Sequence, residues 1–166
     1  MKSLFGIAVL VAAGLVSGNV QASNGLLLSS NDPLSNVATL SISGDDNVLS
    51  INQSYGQTGG ANVLSLDISG DLNGGPLNRS FSGVAATSGL VPGEIRQSGH
   101  DNFVGLQVTG TQNLFAISQI GSGNTLTAMM IGNNNQASIS QLGNGNNVSF
   151  VQNGSGNILS VIQRNW

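Results

Sequence analysis

The chain contains no cysteine, which removes a disulfide framework, a thiolate nucleophile and any Cys-based metal site. Aromatic residues make up 4% and charged residues 7% of the 166 positions, against about a quarter charged in a typical globular domain. With so few rings, and apolar residues interrupted at every other position, a conventional globular core is not expected. Lysine and arginine total 4 and the formal net charge is −3, which excludes the basic footprint of a nucleic-acid binder. Proline occurs 3 times, never beyond Pro92. After the N-terminus, no run approaches the roughly 18 continuous apolar residues of a spanning helix. Glycine, by contrast, occurs 24 times, and much of it falls in a pattern.

That pattern is an internal repeat, which outranks every other signal in reading a chain. Asparagine recurs every eleven residues at Asn102, Asn113, Asn124, Asn135, Asn146 and Asn157. Numbering each unit from its Asn as position 0, position 2 holds Val104, Phe115, Leu126, Ala137, Val148 and Leu159. Position 4 holds Leu106, Ile117, Ala128, Ile139, Phe150 and Val161; position 6 holds Val108, Gln119, Met130, Gln141, Gln152 and Gln163. Position 8 is Gly110, Gly121, Gly132, Gly143 and Gly154, with Asn165 closing the series.

Positions 0, 2, 4 and 6 share one parity, so in a strand they point to one face. The opposite face carries small residues at its middle position, Gly105, Ala116, Thr127, Ser138, Ser149 and Ser160. Alternation over about six residues closed by Gly predicts a strand and a turn, whereas a helix would need apolar spacings of three and four. Two units make one strand-turn-strand coil (a β-arc). Stacking such coils ~4.8 Å apart sets Asn over Asn and Gln over Gln. A side-chain amide both donates and accepts, so such columns can bond along the stack. The expected fold is therefore all-β, a β-solenoid of 11-residue half-repeats with cross-β, amyloid-like stacking.

Residues 1–22 read as a cleavable secretory signal, with Lys2, an apolar run from Leu4 to Val16, and Val20-Gln21-Ala22 before the cut. Residues 23–35 do not fit the repeat and read as a leader, expected to be disordered. The first repeats span 36–73, opening at Asn36, Asn47, Asn62 and Asn73, with a small insertion around Gln57 to Gly60. Residues 74–92, with Pro76, Arg79 and Pro92, form an irregular insert, because Pro cannot donate to a ladder. Residues 93–166 form the regular block. About ten half-repeats, hence roughly five coils, give a stack ~24 Å tall.

Charge divides unevenly. All seven acidic residues lie at or before Asp101, and Arg164 is the only charged residue from Asn102 onward. Soluble repeat proteins cap their ends to block end-to-end addition. Here the C-terminal half is regular, nearly uncharged and free of proline, the composition of a self-stacking cross-β segment. Asp45, Asp46, Asp67 and Asp71 in the N-terminal half read as gatekeepers at or beside turns.

The half-repeat Asn-x-φ-x-φ-x-Gln-x-Gly-x-x, where φ is apolar, resembles the curlin repeat. It stands here as Asn113-Leu-Phe-Ala-Ile-Ser-Gln-Ile-Gly-Ser-Gly and Asn135-Gln-Ala-Ser-Ile-Ser-Gln-Leu-Gly-Asn-Gly. The resemblance runs from about Asn36 to Gln163 with one gap. Val108 and Met130 depart from it, standing where the family prefers Gln. It implies a subunit of curli, amyloid fibres on Gram-negative cells, secreted through a dedicated outer-membrane channel with chaperones. It also implies roles in adhesion and biofilm, with a second curlin subunit as partner alongside self. The fibre-forming type fits better than the minor, nucleating type, since the mature chain has no lysine, although the C-terminal Val-Ile-Gln-Arg is similar to the minor type.

No catalytic residue, cofactor or metal site is expected. His100 stands beside Asp101 and near Ser98, but a triad draws on separated elements, so a turn histidine is the better reading. The aspartates lack the Gly-Gly-x-Gly-x-Asp pattern of calcium-binding β-rolls. A soluble surface- or ice-binding solenoid adhesin is the rival from another class, but Thr125 and Thr127 form a Thr-x-Thr that does not recur in the next unit. The expected functional residues are structural: the six asparagines from Asn102 to Asn157, with Gln119, Gln141, Gln152 and Gln163, as ladders. Asn157 to Gln163 is expected to be the docking edge.

Overall fold

A computed structural model describes residues 11–12, 15–20, 24–31, 36–56, 58–75 and 78–165. Its strands are β1 (Val11–Ala12), β2 (Leu15–Val20), β3 (Gly25–Ser30), β4 (Asn36–Ser43), β5 (Val48–Tyr55), β6 (Asn62–Ser69), β7 (Glu94–His100), β8 (Phe103–Thr109), β9 (Leu114–Ser122), β10 (Thr125–Ile131), β11 (Gln136–Gly143), β12 (Asn147–Asn153) and β13 (Ile158–Asn165). Odd-numbered strands form one seven-stranded sheet in the order β1-β3-β5-β7-β9-β11-β13, and even-numbered strands a six-stranded sheet from β2 to β12. Successive strands thus alternate between sheets. Each pairs in parallel with the strand two places on, as in Gln119↔Gln141 and Thr125↔Asn147. This is the β-solenoid that the eleven-residue alternation predicts.

The parity also holds. Val104, Val108, Phe115, Ile117, Leu126, Met130, Ala137 and Ile139 are buried between the sheets together with Leu40, Leu64 and Ile95. From β7 to β12, position 8 closes each strand with a glycine at φ between 104° and 121°: Gly99, Gly110, Gly121, Gly132, Gly143 and Gly154. A Cβ on Gly132 would fall onto the carbonyl oxygen of Gly154 one coil on. Both the left-handed conformation and the close approach of backbone therefore require glycine.

One expectation about the N-terminal region changes. Gly25–Ser30, placed in the leader outside the repeat, is a strand paired with β5 (Leu26↔Leu49, Leu28↔Ile51). The reason is visible once register is known: Asn24, Leu26 and Leu28 occupy positions 0, 2 and 4 and are buried. Ser23 and residues 32–35 of that leader lie outside the described residues. Within the expected signal segment, β1 and β2 pair with β3 and β4, and the rest of residues 1–22 lies outside the described residues.

The insert does not separate two blocks. It is spliced into a single half-repeat. Asn73 and Gly74 begin the unit, Gly74 bridging Val48 and Leu114, and Glu94 resumes it opposite Ser50, followed by Ile95↔Ile51 and Gln97↔Gln53. The two ends of the excursion meet at Gly75 and Gly93, where a Cβ on Gly93 would lie 2.8 Å from the Gly75 nitrogen. Between them the chain climbs the outer face of the odd sheet. Arg79 donates to the Leu72 carbonyl at 3.2 Å and to Gln112 at 2.6 Å. Phe81 and Ala85 bury against Leu114 and Ala116. A 3-10 helix, Gly83–Ser88, packs on β11 and β13. This flap covers part of the face opposite the Asn and Gln positions, so that Ser138, one of its small residues, is buried beneath it with its Oγ unpaired.

Candidate assembly surface

Every described half-repeat from β3 onward starts with an asparagine, and inside the stack its side chain ties three levels together. Asn113 Oδ1 accepts from the Asn135 backbone N–H at 3.0 Å and from Asn135 Nδ2 at 3.1 Å. Asn113 Nδ2 donates to Asn73 Oδ1 at 3.0 Å and to the Gly132 carbonyl at 2.9 Å. The same set recurs at Asn124, which accepts from Asn146 and donates to Asn102 Oδ1 and Gly143. Position 0 and position 8 are thus one device, since the Gly carbonyl exposed by positive φ is the acceptor the Asn needs. Burying an amide costs about 1–3 kcal/mol when it is unpaired, and Asn113, Asn124 and Asn135 are fully buried and fully bonded.

The six asparagines fall in two columns, one per sheet. Asn113, Asn135 and Asn157 continue upward from Asn47 and Asn73, while Asn102, Asn124 and Asn146 continue from Asn36 and Asn62. Both columns have the same polarity. Each Oδ1 faces the C-terminal end of the stack and receives donors from the coil that follows.

Glutamine forms one column, in the odd sheet only. Gln53 Nε2 donates to Gln97 Oε1 at 2.8 Å, Gln97 to Gln119 at 3.0 Å, Gln119 to Gln141 at 2.8 Å and Gln141 to Gln163 at 3.0 Å. The even sheet holds Ile42, Ile68, Val108 and Met130 at the same position, so Val108 and Met130 are part of an apolar column. Gln152 was expected in the ladder and is not in it. It sits in β12 opposite Met130, which offers no donor, and its buried Oε1 has no partner. Its Nε2 reaches only the Gln136 carbonyl, at 3.1 Å.

At the last described strands the stack presents unpaired edges. β12 and β13 are the last strands of their sheets, and among the described residues no helix or charged unit lies beyond them. Ile158 is 40% and Ile162 52% exposed. Asn157, with Asn146 one strand before, ends its column, and no described residue donates to either Oδ1. Gln163 Nε2 donates only to the Asn147 carbonyl. The expected docking edge, Asn157 to Gln163, lies within this end together with β12.

His100 Nδ1 lies 2.8 Å from Asp101 Oδ2 on the surface, and no described hydrogen bond joins it to Ser98. The ring, and after it the Gly60 N–H at 2.9 Å, holds the Asp101 carboxyl below its ordinary value. That pair anchors Gly60 at the end of residues 58–60. Among the described residues no group of acidic and histidine side chains is arranged to hold a metal. Asp45 and Asp71 stack turn on turn, the Asp45 N–H donating to Asp71 Oδ1 at 2.8 Å.

No curated protein and no solved structure matches the chain. The family model described as curlin associated repeat matches residues 132–164, the stretch of β11, β12 and β13 that ends at the open edge. That match lies on the same Asn-Gly and Gln ladders that run through the rest of the solenoid, so residues 132–164 are similar to the curlin associated repeat.

Proposed function

We propose that this chain is a structural subunit of extracellular curli-type fibres, exported after removal of residues 1–22 and assembled by stacking coil on coil. The observation that carries the reading is the unpaired edge at β12 and β13, the last described strands of their sheets. It ends two asparagine columns on acceptors, ends the glutamine column on a donor, and leaves two strand edges unpaired. A mature N-terminal coil brings Asn24 and Asn36 at position 0, where every coil inside the chain supplies donors to the Asn before it. Unlike ends of one polarity favour head-to-tail growth, in which the solenoid simply continues through the junction. Fibres so built on a cell surface serve adhesion, attachment and biofilm matrix, with the secretion channel and chaperones that curlins use. Most of the buried asparagine and glutamine side chains serve the ladders, which supports a structural rather than an enzymatic reading.

Purified residues 23–166 at micromolar concentration should show a lag and then a rise in thioflavin fluorescence. Removing residues 157–166 should lengthen the lag several-fold. Unchanged growth of the truncated chain would place the docking edge elsewhere.

One observation favours a second reading, that this end also templates a different curlin subunit. The final coil alone carries Gln in both sheets, Gln152 and Gln163, while the first strands of this chain offer Ser30 and Ile42 at that position. A partner with Gln at position 6 in both strands would continue both columns. Sub-stoichiometric seeds of this protein should then shorten the lag of such a curlin more than that of fresh copies of itself. Equal shortening would remove the second reading.

A further inference from the structure

Among the described strands after residue 22, the first and the last, β3 and β13, lie in the same sheet, and this fixes how copies can join. The strands from β3 onward are β3, β5, β7, β9, β11 and β13 in the odd sheet and β4, β6, β8, β10 and β12 in the even sheet, an odd total. Including β1 and β2 keeps it odd. Inside the chain, strands alternate strictly between sheets, so the slot that follows β13 lies over β12. The incoming β3 is the next strand in sequence and must fill that slot, with β4 following over β13. We infer that successive copies in the fibre are therefore related by a half-turn about the fibre axis, β3 seating on β12 and β4 on β13 of the copy before. This rests on the proposed head-to-tail assembly and adds the orientation of each copy within it.

The half-turn is compatible with the ladders because the two half-repeats of a coil are chemically alike. In both sheets position 0 is Asn, bonded to the Asn one coil away and to a position-8 glycine. Asn24 would meet Asn146, and Asn36 would meet Asn157. Leu26 and Leu28 would cover Val148 and Phe150, and Ala38 and Leu40 would cover Leu159 and Val161. Val148 is 8% exposed, and Phe150 and Val161 are only partly buried, so this contact completes the end of the core. The Gln152 amide, lacking a Gln above it, would meet the Ser30 hydroxyl. Stacking without rotation, β3 on β13, leaves the slot over β12 empty and strands the backbone groups of that edge inside the fibre.

The half-turn also places the flap on alternate sides of the fibre from one copy to the next. At ~2.4 Å of rise per strand, half the ~4.8 Å strand spacing, each copy adds ~26 Å and the structure repeats every second copy at ~53 Å. Stacking without rotation repeats at ~29 Å.

Absence of native cysteine allows a direct test by disulfide formation in assembled fibres. Ile162 is position 5 of β13 and is 52% exposed. Its neighbour across a half-turn junction is Ser41 of the next copy, and across an unrotated junction it is Ser29; both serines are exposed. Facing residues would be ~4.8 Å apart, inside the ~4.4–6.8 Å window for a disulfide. Within one copy Ser29 lies five strands from β13, ~24 Å away, and Ser41 is on the opposite outer face, so neither pair can close internally. Fibres of the Ile162→Cys/Ser41→Cys variant, oxidised after growth, should give a ladder of covalent multimers on non-reducing gels, and Ile162→Cys/Ser29→Cys should not. A ladder from the Ser29 pair, or none from the Ser41 pair in fibres that bind thioflavin, overturns the half-turn. Wild-type chain that forms no fibre overturns the assembly reading instead. Electron microscopy of the unmodified fibre gives an independent readout, a ~53 Å axial repeat against ~29 Å.

Discussion

Replacing Asn113 with alanine removes a side chain that makes four hydrogen bonds while fully buried. Two of the groups it serves lose that side chain as partner outright: the Asn135 backbone N–H and the Gly132 carbonyl. The other two retain bonds, Asn73 Oδ1 from the Asn113 backbone N–H at 3.0 Å and Asn135 Nδ2 to Gly154 at 2.9 Å. At about 1–3 kcal/mol for each stranded buried group, the loss is about 2–6 kcal/mol. Set against a typical total of about 5–15 kcal/mol, that is a large fraction of the fold. Asn157→Ala removes the same chemistry from the open end. Asn135 Oδ1 keeps the Asn157 backbone N–H at 3.1 Å, and the site is exposed, so about 1 kcal/mol or less should go. Urea unfolding of freshly prepared monomer, followed by circular dichroism, compares the two at equal m. If both variants shifted the midpoint equally, the triple tie between Asn, Asn and Gly would not be what holds the coils.

Three more outcomes follow from the same geometry. Gln119→Ala strands Gln141 Oε1 and the Phe103 carbonyl and should cost about 2–4 kcal/mol, whereas the exposed Ser149→Ala should stay within about 0.5 kcal/mol; equal effects would reverse the assigned facing. Gly132→Ala combines positive φ with a methyl driven onto the Gly154 carbonyl and should cost about 2–6 kcal/mol. Gly145→Ala, at φ 67° with nothing within 4 Å, should cost only about 1–2 kcal/mol, and thermal melts separate the pair. Gln152→Met removes an unpaired buried oxygen and should raise monomer stability by up to about 1 kcal/mol while lengthening the lag of seeded assembly; destabilisation would mean that Gln152 has a partner in solution.

Much of this was legible because the repeat is strict. Asn102 to Gln163 supply strand parity, turn glycines and the ladder residues from their spacing alone. The alternation of the Gln column was also present in the sequence, as Gln53, Gln97, Gln119 and Gln141 against Ile42, Ile68, Val108 and Met130. It becomes a pattern only with a twenty-two-residue period, so a half-repeat reading assigns Gln152 to a ladder it does not join. The β3 strand was hidden because Asn24 is followed by a unit that ends at Ser30, without the position-6 Gln of β5, β7, β9, β11 and β13. The flap escaped periodicity altogether. Its clues were Leu114 and Ala116, apolar at outward positions of β9, and what covers them comes from a segment whose path depends on tertiary contacts. Burial of Ser138 follows from that path and from nothing in its own unit.

X-ray diffraction from aligned fibres of residues 23–166 tests the central claim, that the solenoid continues from one copy into the next. The account predicts a sharp reflection at ~4.8 Å along the fibre axis with a broader one near ~10 Å across it. A chain that stays monomeric with a strand-rich spectrum, or fibres whose ~4.8 Å spacing lies across the axis, would contradict end-to-end stacking and leave a soluble surface-binding solenoid as the model to pursue.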